Sequence, residues 1–337
     1  MQLADQTHKN PTDHLHDICA LIAEDLSILD ELIHAELNSS VPLTREVTQH
    51  VFKMRGKRLR PLLVILASLA CSSQKKLEKK HYDIAVVLEF VHTATLLHDD
   101  VVDHSNLRRG QNSANTVFGN AASVLVGDFL YSRAFQILAR HENNSVMRVL
   151  SETTNAIAEG EVLQLMNQHD ADLTETNYFR VITQKTAQLF SAAANIGAIL
   201  ENADSQTKKA MAQYGLHLGI VFQIIDDLLD YETSSDITGK NIGDDLSEGK
   251  VTLPLIYAMQ NTTPDNVVFI RNAIKNADLT ALTTIKSILT ESGAFFATRE
   301  KAREHAEKAC GALSTVTDSA YRQALADLVL FALDRKY

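Results

Sequence analysis

Apolar residues recur three and four positions apart along almost the whole chain. Leu15, Ile18, Ile22, Leu26, Leu29, Ile33 and Leu37 form one such series, the mark of an amphipathic helix with one face against a core. The same period predicts helices over residues 82–97, 121–139, 146–166, 178–200, 206–230 and 253–260, with shorter ones as far as Leu333. Pro61 opens a further helix that runs to Ala70, because proline is tolerated in a first turn. Between Pro61 and Pro254 there is no proline, so helices there can run long without interruption. No segment alternates convincingly with the period of a strand. The pattern predicts an all-α helix bundle. One domain is expected over residues 1–337, with 1–13 as a flexible start.

Two aspartate pentads end long apolar runs: Asp99-Asp100-Val101-Val102-Asp103 and Asp226-Asp227-Leu228-Leu229-Asp230. In a helix, carboxylates four residues apart lie on one face, and like charges at that spacing destabilise it. No Cys or His ligand set accompanies either pentad. Carboxylates alone suit a hard cation, and Mg²⁺ favours one or two of them plus phosphate oxygens and water. The plainer alternative is two acidic helix ends in solvent. It explains one pentad better than it explains two, both emerging from apolar runs. The pair is read as facing metal clamps on a diphosphate.

Composition narrows what surrounds the clamps. The net charge is −10, which argues against a nucleic-acid partner. Positive charge is nevertheless concentrated. Lys57, Arg58 and Arg60 directly precede the Pro61 helix, and Arg108-Arg109-Gly110 follows the first pentad. Lys240 and Lys250 fall in the polar stretch 232–252 after the second pentad. Lys57 and Arg60, three apart, can converge on one anion beside the N–H groups of a helix start. The three cysteines are too widely spaced for a disulfide framework or a zinc site, and are expected as buried thiols. The longest apolar run, 61–71, is too short to span a bilayer. With no signal-peptide pattern either, a cytoplasmic protein that is not integral to a membrane is expected.

Taken together, these residues resemble the trans-prenyl diphosphate synthases. Residues 56–61 match that family's GKRLRP element, 96–110 its first aspartate-rich motif, and 223–230 its second. Lys185-Thr186, Gly239-Lys240 and Gly243-Asp244-Asp245 follow in the family's order, and the likeness extends from about Leu21 to the end of the chain. Residues 126–129 and 158–165 are most similar to members with an eight-unit, octaprenyl product that serves as a quinone side chain.

The resemblance implies an isoprenoid synthase fold, a single large antiparallel helix bundle with a central active-site cavity, together with Mg²⁺ dependence, a homodimer, and isopentenyl diphosphate with an allylic diphosphate, farnesyl diphosphate, as substrates. It implies that Asp99, Asp103 and Asp226 bind the metal ions. Arg108, Lys185, Lys240 and Lys250 would hold the allylic diphosphate. Lys57, Arg60, His92 and Arg109 would hold the diphosphate of isopentenyl diphosphate. Thr186, Gln223 and the Lys185 carbonyl would face the allylic cation. Ala94 and Thr95, small where short-chain members carry aromatics, imply a long product, with the channel floor deeper at residues such as Phe129 or Phe135. A terpene cyclase would lack the second diphosphate's basic element. A non-catalytic subunit would tend to lose a pentad or that element. Both alternatives fit less well.

Overall fold

The computed structural model describes residues 11–54, 56–232 and 243–335. It is a helix bundle whose elements, in chain order, are α1 (Pro11–Leu21), α2 (Ala23–Glu36), α3 (Pro42–Lys53), α4 (Leu59–Cys71) and α5 (Lys79–Val102), then strands β1 (Leu107–Arg108) and β2 (Gln111–Asn112). They continue as α6 (Ala114–Phe118), α7 (Asn120–Ala139), α8 (Asn144–Met166), α9 (Glu175–Ile182), α10 (Gln188–Leu200) and α11 (Ser205–Glu232). The last are α12 (Asp244–Ser247), α13 (Leu253–Gln260), α14 (Pro264–Asn276), α15 (Leu282–Glu291), α16 (Ala294–Ala312) and α17 (Ala320–Asp334).

Sequence pattern decides which helices sit at the centre. Every residue of α4 from Leu62 to Ala70 is buried, as is every residue of α5 from His81 to Val91. A helix apolar on all sides has to be surrounded by others. Helices α5, α10 and α11 accordingly form the middle of the bundle, with α4, α7, α8 and α16 packed around them. Among the described residues no helix is long and apolar enough to cross a membrane.

Several expectations from the sequence need correction. The series from Leu15 to Leu37 is two helices, because the backbone leaves helical geometry at Ile22 (φ −123°, ψ 30°). Helix α1 begins at Pro11, and residues 1–10 of the expected flexible start lie outside the described residues. Helix α3, unrecognised from sequence, covers Pro42–Lys53. Helix α4 starts at Leu59 rather than at Pro61. A two-residue antiparallel hairpin also exists, with Arg109 (φ 52°) and Gly110 (φ 73°) as its turn. Two successive positive φ values are what a tight type I′ turn requires. The three cysteines are half-buried rather than buried, and burial pushes the Cys71 and Cys310 thiols up to about 11.

The predicted helix over 178–200 is interrupted by a π-helical segment, Thr183–Ala187. Such a segment inserts one extra residue per turn, and π-bulges concentrate at functional sites. Two glycines allow its neighbours to press against it. A Cβ on Gly160 of α8 would stand 2.7 Å from the Lys185 nitrogen, and one on Gly219 of α11 would stand 2.6 Å from the Ala187 Cα. Neither helix could approach so closely with a larger residue. The segment bearing Lys185 and Thr186 is thereby clasped between α8 and α11.

Candidate active site

The pentads occupy the C-terminal ends of their helices: Asp99 and Asp100 in the last turn of α5 with Asp103 as its C-cap, and Asp226, Asp227 and Asp230 near the end of α11. A helix C-terminus carries partial negative charge, so carboxylates there stand at the unfavourable pole. Both ends open on one cavity of about 840 Å³. Small-molecule sites run from roughly 300 to 1,000 Å³. Along α5, Glu89, His92, Thr95, Asp99 and Asp103 all line this cavity, as their spacing of three and four residues dictates.

At the acidic end, the Lys185 Nζ lies 2.7 Å from Glu161 Oε2 and 3.8 Å from Asp99 Oδ2. Lys250 Nζ lies 3.0 Å from Asp103 Oδ2 and pairs with Glu248. These lysines do not neutralise all the negative charge. Burial and the charge of Asp103 hold Asp99 above the usual carboxylate range, against the pull of Lys185. Burial, with Asp99 and Asp103, pushes Glu161 up to about 7. Glu248 is likewise at about 7 through burial and Asp103. For Lys250, burial works in the opposite direction but is outweighed by Asp103, Asp245 and Glu248, which keep it firmly charged.

An all-oxygen donor set carrying excess negative charge fits a hard divalent cation. Among the described residues, no three His, Cys, Asp or Glu side chains converge into a ready cage. That agrees with an ion that takes most of its ligands from phosphate and water.

The other pentad carboxylates are bound by protein. Asp100 is buried and accepts both Nε (2.8 Å) and Nη2 (2.5 Å) of Arg108 at one oxygen. Arg108, expected on a diphosphate, is therefore largely engaged by Asp100. Asp230 accepts the backbone N–H groups of Gly243, Asp244 and Asp245 at 3.2 Å each, which fixes α12 to α11. Asp227 accepts Tyr178 O–H at 2.6 Å and the Gln223 Nε2 at 2.7 Å. Gln223 Oε1 in turn accepts from Thr186 Oγ1 at 2.8 Å. This chain of bonds sets the Gln223 amide and turns the Thr186 proton away, leaving that hydroxyl's lone pairs as the exposed dipole. Burial and Asp245 hold the Asp227 carboxyl well above its usual range.

The basic end is built around a left-handed residue, Arg58 (φ 46°), just before α4. Arg58 itself pairs with Asp30 of α2. Arg60 lies over the Phe190 ring at 4.6 Å, and its Nη1 is 2.9 Å from His92 Nε2. Burial and the cations Arg60, Arg108 and Arg109 hold His92 far below its usual range, so it accepts from Arg60 as a neutral ring. His92 thus orients Arg60 rather than adding positive charge. Arg109 donates Nη1 to the Met54 carbonyl at 2.6 Å. Burial and the charge of Arg335 lower Lys57 to about 8.

Of the residues singled out from sequence, Lys57, Arg60, His92, Thr95, Asp99, Asp103, Arg108, Arg109, Lys185, Thr186, Gln223, Asp226 and Lys250 all line the one cavity. Lys240 lies outside the described residues. Ala94 is not on the cavity wall but fully buried in the core. The proposed floor residues are not on the wall either: Phe129 packs under Arg133 at 5.1 Å, and Phe135 is 36% exposed. Sequence reading missed Glu89, Glu161, Phe222, Tyr178 and Arg335, which also line the cavity, and Glu248, which pairs with Lys250 on its wall. Glu89 was legible as one helical step before His92. Arg335, brought in from far along the chain, had no local signal.

The polyprenyl synthetase family pattern matches residues 41–291. The octaprenyl diphosphate synthase of Escherichia coli (strain K12) is 46% identical over 323 residues, 96% of this chain and 99% of that protein. That of Haemophilus influenzae is 42% identical over 324 residues, covering 96% of this chain and 98% of the relative. The crystal structure of a polyprenyl synthase from Caulobacter crescentus CB15, complexed with calcium and isoprenyl diphosphate, superposes with a TM-score of 0.91 at 39% identity. It covers 96% of this chain, which covers 98% of it. A decaprenyl diphosphate synthase from Rhodobacter capsulatus gives 0.90 at 40% identity, over 96% and 99% of the two chains. Helices that carry paired aspartates into one cavity, and relatives alike along their whole length, lead to the same place: this chain belongs to the polyprenyl synthetase family and is a prenyltransferase that makes polyprenyl diphosphates.

Proposed function

We propose that the enzyme adds isopentenyl diphosphate units to farnesyl diphosphate, with Mg²⁺ as its cation, and releases octaprenyl diphosphate for a quinone side chain. The observation that carries this reading is the single cavity lined both by the aspartates of α5 and α11 and by Lys57 and Arg60. One end suits a diphosphate held through a cation, the other a diphosphate held by Lys and Arg directly.

Asp99, Asp103 and Asp226 would hold the metal, with Lys185, Lys250 and Lys240 closing on the same allylic diphosphate. When bound, Mg²⁺ supplies positive charge that offsets the charge developing on the leaving diphosphate. Breaking the allylic C–O bond sends the electron pair to that diphosphate, so cations concentrated there stabilise the transition state more than the ground state. The Thr186 hydroxyl, the Gln223 amide oxygen and the Lys185 carbonyl offer weak dipoles to the allylic cation. Leu96, Val181, Ile182 and Phe222 on the wall keep water from it. The alkene of isopentenyl diphosphate, positioned by Lys57, Arg60 and Arg109, attacks to form the new C–C bond. The proton lost afterwards goes to the departing diphosphate, so no protein base is required.

The chain is proposed to act as one catalytic unit, in the cytoplasm and as a homodimer. Apolar side chains exposed on α7 and α8, Leu125 (66%), Val162 (57%), Leu165 (55%) and Met166 (74%), favour a covered surface there. Chromatography of products made from farnesyl diphosphate and excess isopentenyl diphosphate tests the main reading. An eight-unit product is expected, and a ladder ending at four units would overturn the assignment of length.

A pH dependence follows from Lys57. Its charge is lost as pH rises through about 8, and kcat/KM reports groups of the free enzyme. For isopentenyl diphosphate, kcat/KM should therefore fall above about pH 8, while Lys57→Arg, charged throughout, flattens this limb. A wild-type profile that stays level across that range would remove Lys57 from the anion site.

A further inference from the structure

Each aspartate assigned to the metal is held by a basic side chain. Asp99 faces Lys185 at 3.8 Å, Asp103 faces Lys250 at 3.0 Å, and Asp226 Oδ1 faces Arg335 Nη2 at 3.0 Å. The first two cations come from segments already read as diphosphate-binding. Arg335 does not. It follows the last turn of α17, outside the matched stretch 41–291.

Its setting is specific. Arg335 is 7% exposed although it ends a helix at the bundle's margin. The same Nη2 that meets Asp226 donates to the Phe222 carbonyl at 2.7 Å, and the guanidinium lies 3.9 Å over the Phe222 ring. Its Nε is buried without a hydrogen-bond partner, and its charge disfavours that of Lys57 nearby. An arginine kept in a cationic neighbourhood, with one N–H unsatisfied, depends on the anion it faces. Phe222 and Asp226 are four residues apart on α11, so carbonyl, ring and carboxylate present one surface to the guanidinium.

We propose that Arg335 is a resident counter-ion of Asp226, and that a divalent cation binds this carboxylate in competition with it. The proposal rests on the reading of Asp226 as a metal carboxylate. The Arg335 charge, 3.0 Å from Asp226 Oδ1, repels a second cation at the same carboxylate, so the ion pair competes with the metal. The bonds to Phe222 keep the displaced guanidinium close, and the pair re-forms when the metal leaves with the product diphosphate. The metal-free carboxylate is thus never left to repel its neighbours at the α11 C-terminus.

The test is Mn²⁺ binding to the full chain, with no substrate, read from the electron paramagnetic resonance of free Mn²⁺ at constant ionic strength. Arg335→Gln should bind Mn²⁺ roughly three- to tenfold more tightly, the size expected on removing a partly exposed ion pair. Phe222→Leu, which keeps the charge but removes the ring that holds it, should give a smaller gain and covers the case in which Arg335→Gln fails to fold. Arg335→Lys should stay near wild type. In an Asp226→Asn background the gain from Arg335→Gln should vanish. Unchanged or weaker Mn²⁺ binding in Arg335→Gln or Phe222→Leu overturns the counter-ion role. Undiminished binding in Asp226→Asn alone overturns instead the assignment of Asp226 to the metal.

Discussion

Asp99→Asn and Asp226→Asn should each lower turnover at least about a hundredfold, close to 3 kcal/mol of transition-state stabilisation. Each substitution keeps the side chain's shape and removes the charge proposed to hold the cation against the leaving diphosphate. The loss should fall on kcat and kcat/KM together, as for an interaction made chiefly in the transition state. The two variants should differ in stability, and the reason is visible in the packing. Burial and Asp103 raise the Asp99 carboxyl above its ordinary range. Its ionised form is therefore penalised in the folded state at neutral pH, and Asp99→Asn should melt no lower than wild type. Asp226→Asn keeps an acceptor oxygen but removes the negative charge facing the nearly buried Arg335, so it should melt below wild type. Steady-state kinetics at limiting Mg²⁺ with thermal melts checks both statements. Near-normal turnover in either variant would remove that aspartate from the clamp.

Thr95→Tyr should shorten the product to a few isoprene units while early condensations continue. Thr95 lines the cavity one turn before Asp99, in a wall that also includes Leu96 and Val181 and Ile182 of α9. A tail growing away from the aspartates has to pass this turn, and a ring there occludes the passage without touching the carboxylates. The sequence alone suggests Ala94→Phe as an equal test, and the structure separates the two. Ala94 is 0% exposed within the core, where a ring overpacks and costs about 1–3 kcal/mol of stability. Ala94→Phe should therefore report on folding first. Chromatography of products from Thr95→Tyr decides the matter: an unchanged chain length would place the limit on growth elsewhere.

How far local pattern reached is clear from particular residues. The pentads and the basic run before α4 were identifiable because each is a short, unusual string with its own chemistry, whereas Lys185-Thr186 stood out only through the family resemblance. The helices were legible because burial on one face imposes a period. Their joints were less so. The break at Ile22 keeps the apolar period intact on both sides, and the π-helical turn at Thr183–Ala187 leaves no mark in composition. The hairpin at Arg109-Gly110 is too short to show alternation, and only its backbone angles declare it.

By itself, then, the sequence determined the helical class, the two acidic helix ends and the basic helix start, since charge and periodicity are properties of neighbours along the chain. Tertiary structure alone decided which charges meet. It gave Arg108 to Asp100, made His92 a neutral partner of Arg60, placed Thr95 on the cavity wall and Ala94 behind it, and brought Arg335 to Asp226. Residues 109 positions apart, as in that last pair, have no local pattern to announce them. Their meeting depends on how α17 packs against α4 and α11, and packing is settled by the fit of whole surfaces rather than by any short string of residues.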